Sequence, residues 1–267
     1  MRYEIKELNL GGILDHSISL LKNHFKLLSV ILASVLLPVQ VVSSVLMATV
    51  VPNPEDMAAG RMGGMEDMGL SAMTGFWVMI GVSTLVFFLF HSLAQGAVTW
   101  GIAEVYLGKS VTAAECIKTA FRKWPVLITT AIVNWIGIVG GSMLCLVPGI
   151  YLVFAWFVIY PVLMIEGLPM MQVFGRSRTI MKGHKGKAFV VGLVLTVIGG
   201  GIGFLADIIP GVYPSAVLSA VIQVFLVGFN CIVVTVVYFS GRCLVENFDL
   251  ELLAGSVARQ SIHPEPL

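Results

Sequence analysis

Residues 126–166 read VLITTAIVNWIGIVGGSMLCLVPGIYLVFAWFVIYPVLMIE, and the first charged side chain in that run is its last, Glu166. A helix crossing the hydrocarbon core of a bilayer needs about 20 mostly apolar residues, because about 30 Å must be covered at about 1.5 Å per residue. The run holds two such stretches, 126–147 and 149–165, on either side of Pro148. Helices are required rather than strands, since a backbone in lipid must satisfy its own hydrogen bonds and the uniform apolarity lacks the alternation of a barrel strand. Four more stretches are free of Asp, Glu, Lys and Arg: 27–51, 75–103, 188–206 and 212–240. The sequence therefore predicts an all-α polytopic membrane protein with six transmembrane helices.

Composition agrees with this reading. Apolar residues make up 57% of the 267 and charged residues 12%, against about 25% charged in an ordinary soluble domain. The formal charge of +1 gives no basic field of the kind a nucleic-acid partner requires. Cys116, Cys145, Cys231 and Cys243 form no C-x-x-C pair, so neither a zinc site nor a disulfide framework is signalled.

The segments between the six stretches divide the basic residues unevenly, and that division sets orientation, because Lys and Arg are retained on the cytoplasmic side. Arg2, Lys6, Lys22 and Lys26 precede the first stretch, and Lys109, Lys118, Arg122 and Lys123 follow the second. Arg176, Arg178, Lys182, Lys185 and Lys187 follow the fourth, and Arg242 and Arg259 the sixth. The other side holds only Arg61, with Glu55, Asp56, Glu66, Asp67 and Asp207. Both termini are expected in the cytoplasm, the protein residing in a cell membrane of the bacterial inner-membrane type. Residues 1–254 are read as one six-span domain and 255–267 as a flexible tail. The polar and amphipathic stretch ahead of residue 27 is unlike a cleaved signal peptide, so the first span is expected to remain.

Each cytoplasmic segment before an odd-numbered span carries apolar residues at helical spacing. Ile13, Leu14, Ile18, Leu21 and Phe25 form one stripe, and Ala113, Ile117, Ala120, Phe121 and Trp124 a second. Met170, Val173, Phe174, Ser177, Ile180 and Met181 form the third. The second opens with Thr112-Ala113-Ala114-Glu115, a capping box. Three cytoplasmic amphipathic helices are expected, each followed by a transmembrane hairpin, with their basic residues on anionic headgroups.

Tyr106-Leu107-Gly108-Lys109-Ser110, Val147-Pro148-Gly149-Ile150-Tyr151-Leu152, Pro161-Val162, Glu166-Gly167, Arg176-Ser177 and Lys182-Gly183 make up a recurring pattern, extended by Tyr238, Arg242 and 248–254. Together these resemble the membrane domain of glycerophosphoryl diester phosphodiesterases and related bacterial multi-pass proteins, over about residues 8–254. In that family the hydrolytic activity belongs to a separate soluble barrel with metal-binding acidic residues, which this sequence lacks. The resemblance therefore implies a membrane domain and not phosphodiesterase activity.

Physical chemistry gives the same motifs structural work. Val147-Pro148-Gly149 predicts a near loop-free reversal, Pro161 a kink in the fourth span, and Arg242 with Glu246 an i, i+4 pair on a helical extension of the sixth. Glu166 is expected to pair with Arg176 and Arg122 in a structural clamp. Gly137 with Gly141, and Gly199 with Gly203, have the G-x-x-x-G spacing that lets helices approach closely.

Tests for chemistry leave little. Residues 103–110 fit a relaxed phosphate-loop pattern but place Val, Tyr and Leu where glycines should be. The loop bearing Met57, Met62, Met65, Met68 and Met73 has soft Cu(I)-type ligands, yet reads more simply as a flexible Gly- and Met-rich loop. His91, Gln95, Asn134, Gln223 and Asn230 put polar groups inside spans, either as a hydrogen-bonded seam or as a conducting path. No catalytic constellation, metal site or cofactor is called for. The expectation is a non-catalytic membrane scaffold or accessory subunit acting through lipids or a protein partner, the alternative being a small permease or lipid transporter that uses the polar seam.

Overall fold

A computed structural model of the chain describes residues 8–50, 70–183, 185–207 and 212–248. Among these, every regular element is helical. In chain order they are α1 (Leu10–Asn23), α2 (Phe25–Val35), α3 (Leu37–Val50), α4 (Leu70–Tyr106), α5 (Ala113–Arg122) and α6 (Trp124–Leu144). Then follow α7 (Leu146–Ala155), α8 (Ile159–Glu166), α9 (Met170–Ile180), α10 (Lys185–Asp207) and α11 (Val212–Glu246). Four described helices are long and apolar enough to cross a membrane: Met73–Tyr106, Trp124–Leu144, Gly186–Phe204 and Ala216–Glu246. Two bent pairs, α1 with α2 (79°) and α7 with α8 (40°), raise the number to six where each pair is one span. The chain is thus a multi-pass helical membrane protein.

Three expected spans differ in detail, each for a local reason. The stretch 27–51 is two helices, α2 and α3, parted at Leu36. Pro38 has no amide to donate to the carbonyl of Ser34, and the amides of Leu36 and Gln40 carry the ladder past the gap. Between α6 and α7 the reversal comes at Cys145, whose backbone is extended (φ −166°, ψ 145°). Val147-Pro148-Gly149, expected as the turn, instead lies in the first helical turn of α7, where the fixed φ of proline fits. Gly149 is needed there because a Cβ would overlap Ser142 of α6. The stretch 149–165 divides into α7 and α8. The break precedes Pro161, whose missing amide frees the Phe157 carbonyl, and Val162–Glu166 then widens into a π-helical turn.

α11 is the central element, packed against α1, α2, α3, α4, α8, α9 and α10. Its Ile232, Val233, Val236, Tyr238 and Phe239 are all buried. The short amphipathic helices close one end of this bundle. α1 docks on α11, burying Ile13, Ser17 and Leu20, a face turned from the expected stripe, so that Ile18 is exposed; Phe25, the last member of that stripe, begins α2 and is exposed as well. The Leu8 amide donates to Ser240 Oγ (3.0 Å) beside it, and the Ser17 hydroxyl folds back to the Ile13 carbonyl (2.7 Å), which makes its burial tolerable. α5 rests on α4 and α2 through Cys116 and Ala120. α9 buries Val173, Phe174, Ser177 and Ile180, in line with the third stripe.

The outer surface of the bundle is apolar. Trp135 is 60% exposed and Leu144 86%, and Val197 and Phe204 of α10 face outward as well. Such surface is matched to hydrocarbon rather than to water. Met57, Met62, Met65, Met68, Arg259 and the tail 255–267 lie outside the described residues.

Candidate functional site

The ionisable groups converge at the end of the bundle where α8, α9 and α11 meet. The π-helical turn finishes α8 with Glu166, and Gly167 follows at φ +65°, a left-handed conformation that suits glycine and turns the chain into α9. α9 is seated by its buried Ser177, whose hydroxyl donates to the Ala155 carbonyl (3.1 Å), and by Phe174 edge-on to Trp156 (4.9 Å between ring centroids). That seating brings Arg176 against Glu166.

The polar groups there form a closed ring. Arg176 Nε donates to Glu166 Oε2 (2.7 Å), and Arg176 Nη1 pairs with Glu246 Oε1. Glu246 Oε2 accepts from Arg242 Nε (2.9 Å), and Arg242 Nη1 donates to the Tyr238 hydroxyl (3.4 Å). Tyr238 in turn donates to Glu166 Oε1 (2.9 Å), closing the circuit, while Phe248 lies under the Arg242 guanidinium at 4.0 Å. All four carboxylate oxygens are engaged, and two acids balance two guanidiniums. Hydrogen bonding to the Glu246 carboxylate, and then to Glu166, raises the Arg176 pKa against the opposing effect of burial, so its charge is fixed. Such half-buried, fully hydrogen-bonded pairs hold elements in register more than they stabilise them.

The expected clamp is thus present in its Glu166 and Arg176 members but has different company. Arg122 makes no ion pair among the described residues and points outward from α5. The neighbouring Lys123 turns inward instead, donating to the Met164 carbonyl (3.1 Å) in the π-helical turn, where burial lowers its pKa. Tyr238, Arg242 and Glu246 were singled out in the sequence for other reasons. Their i, i+4, i+8 spacing on α11 puts them on one helix face, the signal that could have assigned them to Glu166.

The intramembrane polar residues are only partly brought together. Gln95 Nε2 donates to His91 Nε2 (2.8 Å) within α4. His91 Nδ1, Gln95 Oε1, Thr130 Oγ1, Asn134 Oδ1 and Trp156 Nε1 are buried with no hydrogen-bond partner among the described residues. Asn134 lies one turn before Gly137, and the Trp156 ring lies where a Cβ of Gly137 would sit. Gln223 and Asn230 are exposed on α11, with no hydrogen bond to His91 or Gln95.

Among the described residues no group of three His, Cys, Asp or Glu is placed to hold a metal ion. No disulfide joins Cys116, Cys145, Cys231 and Cys243, and burial pushes the Cys116 thiol up to about 11, far from a reactive thiolate. Comparison with models of known protein families, with curated proteins and with solved structures finds no match for this chain.

Proposed function

We propose that this chain is a non-catalytic six-span scaffold or accessory subunit of a bacterial-type inner membrane, with both termini in the cytoplasm. The observation that carries the reading is the ring of Glu166, Arg176, Glu246, Arg242 and Tyr238, whose carboxylate oxygens are all engaged in tying α8, α9 and α11 together. The two carboxylates of the ring are thereby committed to fixing a platform rather than left to bind or turn over a substrate. α2 and α3 together make the first crossing in this reading, and α1, α5 and α9 lie along the cytoplasmic face. The sequence resemblance to the phosphodiesterase membrane domain makes a separately encoded lipid enzyme the partner of choice. Native mass spectrometry after gentle extraction tests this. A stoichiometric protein partner is expected, and a protein that is always bare of partners overturns it.

The five buried polar atoms without partners favour a second reading, a small permease or lipid transporter, because such atoms are costly in hydrocarbon unless something meets them. Liposome flux or lipid scrambling abolished by His91→Ala supports it, and no flux in the wild type removes it.

A further inference from the structure

Exposed side chains lie on both sides of the elbow between α5 and α6, which the Phe121 and Trp124 rings bridge at 5.3 Å between centroids. The stripe they form begins with Lys118 and Arg122, i, i+4 on the outward face of α5, with Phe121 beside them at 57% exposure. It continues on α6 through Val126, Ile132 and Ile136, all exposed. Thr129 lies in the same stripe, and its hydroxyl is satisfied inside the helix by the Pro125 and Val126 carbonyls, so it presents no bare polar group to lipid.

The two cations have no carboxylate partner among the described residues. Glu115, the one acid near them on α5, is turned to the Thr112 amide at 2.8 Å in the capping box. Val126 and Ile136 are ten residues apart on the helix, about 15 Å, half of the roughly 30 Å hydrocarbon core. The stripe therefore has the dimensions of one phospholipid in one leaflet: two cations at headgroup level, an aromatic ring at the boundary and an apolar track for the chains.

We infer that this stripe is a binding site for an anionic phospholipid, with Lys118 and Arg122 holding the headgroup phosphate and Phe121, Val126, Ile132 and Ile136 the glycerol and acyl region. It deepens the reading above and rests on its placing of α5 along the cytoplasmic face. Arg supplies a planar fork for phosphate oxygens and Lys a point charge. Each cation near an anionic surface contributes about a fivefold gain in affinity, so the pair gives about 25-fold.

The test titrates delipidated full-length protein with phosphatidylglycerol and with phosphatidylcholine of the same acyl chains, counting bound lipids by native mass spectrometry. The wild type is expected to bind one phosphatidylglycerol at least tenfold more tightly than phosphatidylcholine. K118Q/R122Q should lose that preference by about 25-fold with its thermal unfolding unchanged, while K109Q, which removes a cation already paired with Glu104 at 2.7 Å, keeps it. Equal binding of the two lipids by the wild type, an unaltered preference in K118Q/R122Q, or an equal loss in K109Q overturns the site. Displacement of the bound lipid by millimolar inorganic phosphate also overturns it. A lipid preference in a chain that never retains a protein partner on gentle extraction overturns the accessory-subunit reading and leaves the lipid site standing.

Discussion

Replacing Arg176 by Met removes the one side chain that bonds both Glu166 and Glu246. Each charge-assisted hydrogen bond contributes about 1.5–3 kcal/mol, and the loss leaves two carboxylates facing each other without their shared cation. Two effects reduce the cost. Arg176 and Glu246 side chains are each 24% exposed, so water reaches the site, and Tyr238 and Arg242 still hold one oxygen of each acid. A destabilisation of about 2 kcal/mol remains, between a surface pair and a fully buried one. For a chain of this size that is about 4–8 °C in Tm. Thermal unfolding in detergent, followed by tryptophan fluorescence, suits the purpose because Trp156 contacts Phe174 of the displaced α9. The double-mutant cycle with Glu246→Gln should give a coupling of about 1 kcal/mol or more. Arg176→Lys should rescue little, since a single ammonium cannot replace a fork that reaches two acids. A coupling under about 0.3 kcal/mol, or an unshifted Tm in Arg176→Met, refutes the reasoning.

Gly137→Ala should cost about 1–3 kcal/mol, because its Cβ would fall on the Trp156 ring. Gly140→Ala on the same helix meets nothing within 4 Å and should be neutral or stabilising by up to about 1 kcal/mol, the two being compared by thermal unfolding. Thr112→Ala should lower stability by about 1 kcal/mol through loss of the α5 cap, read as faster amide exchange in that helix. Hydrogen bonds from the Thr112 amide and side chain hold the Glu115 carboxyl below its usual range. Its contribution is therefore full above the unfolded pKa of about 4.3 and is lost as pH falls through the lower folded value. The difference in α5 exchange between wild type and Glu115→Gln should vanish in that acid range and be largest near neutrality.

The bundle was legible in the sequence because charge-free length is the dominant physical constraint on a chain in lipid. The third amphipathic stripe and the capping box were legible for the same kind of reason, since each is a local pattern at helical period. Helix ends were harder. Pro148 suits both a turn and a first helical turn, and only the contact of Gly149 with Ser142 decides between them. α1 shows the limit of reading stripes alone: Ser17 is buried and Ile18 exposed because α11 and the Leu8–Ser240 bond set its rotation. The Glu166–Arg176 pair was accessible because its members are ten residues apart, whereas Tyr238 and Glu246 reach Glu166 only through the packing of α11 on α8 and α9. Arg122 looked equivalent to Lys123 by position, yet the elbow before α6 points one outward and the other to Met164.

Orientation of the elbow and of the α6–α7 reversal bears most directly on the central claim, a multi-pass bundle with α1, α5 and α9 on its cytoplasmic face. Cys145 is a native reporter at the reversal, exposed while Cys116, Cys231 and Cys243 are buried. In intact cells a membrane-impermeant maleimide should label Cys145 of the wild type. In a Cys145→Ser background, Lys118→Cys should react only after the cells are permeabilised. Labelling of both positions from the outside of intact cells, or of Lys118→Cys but not Cys145, would contradict the claim.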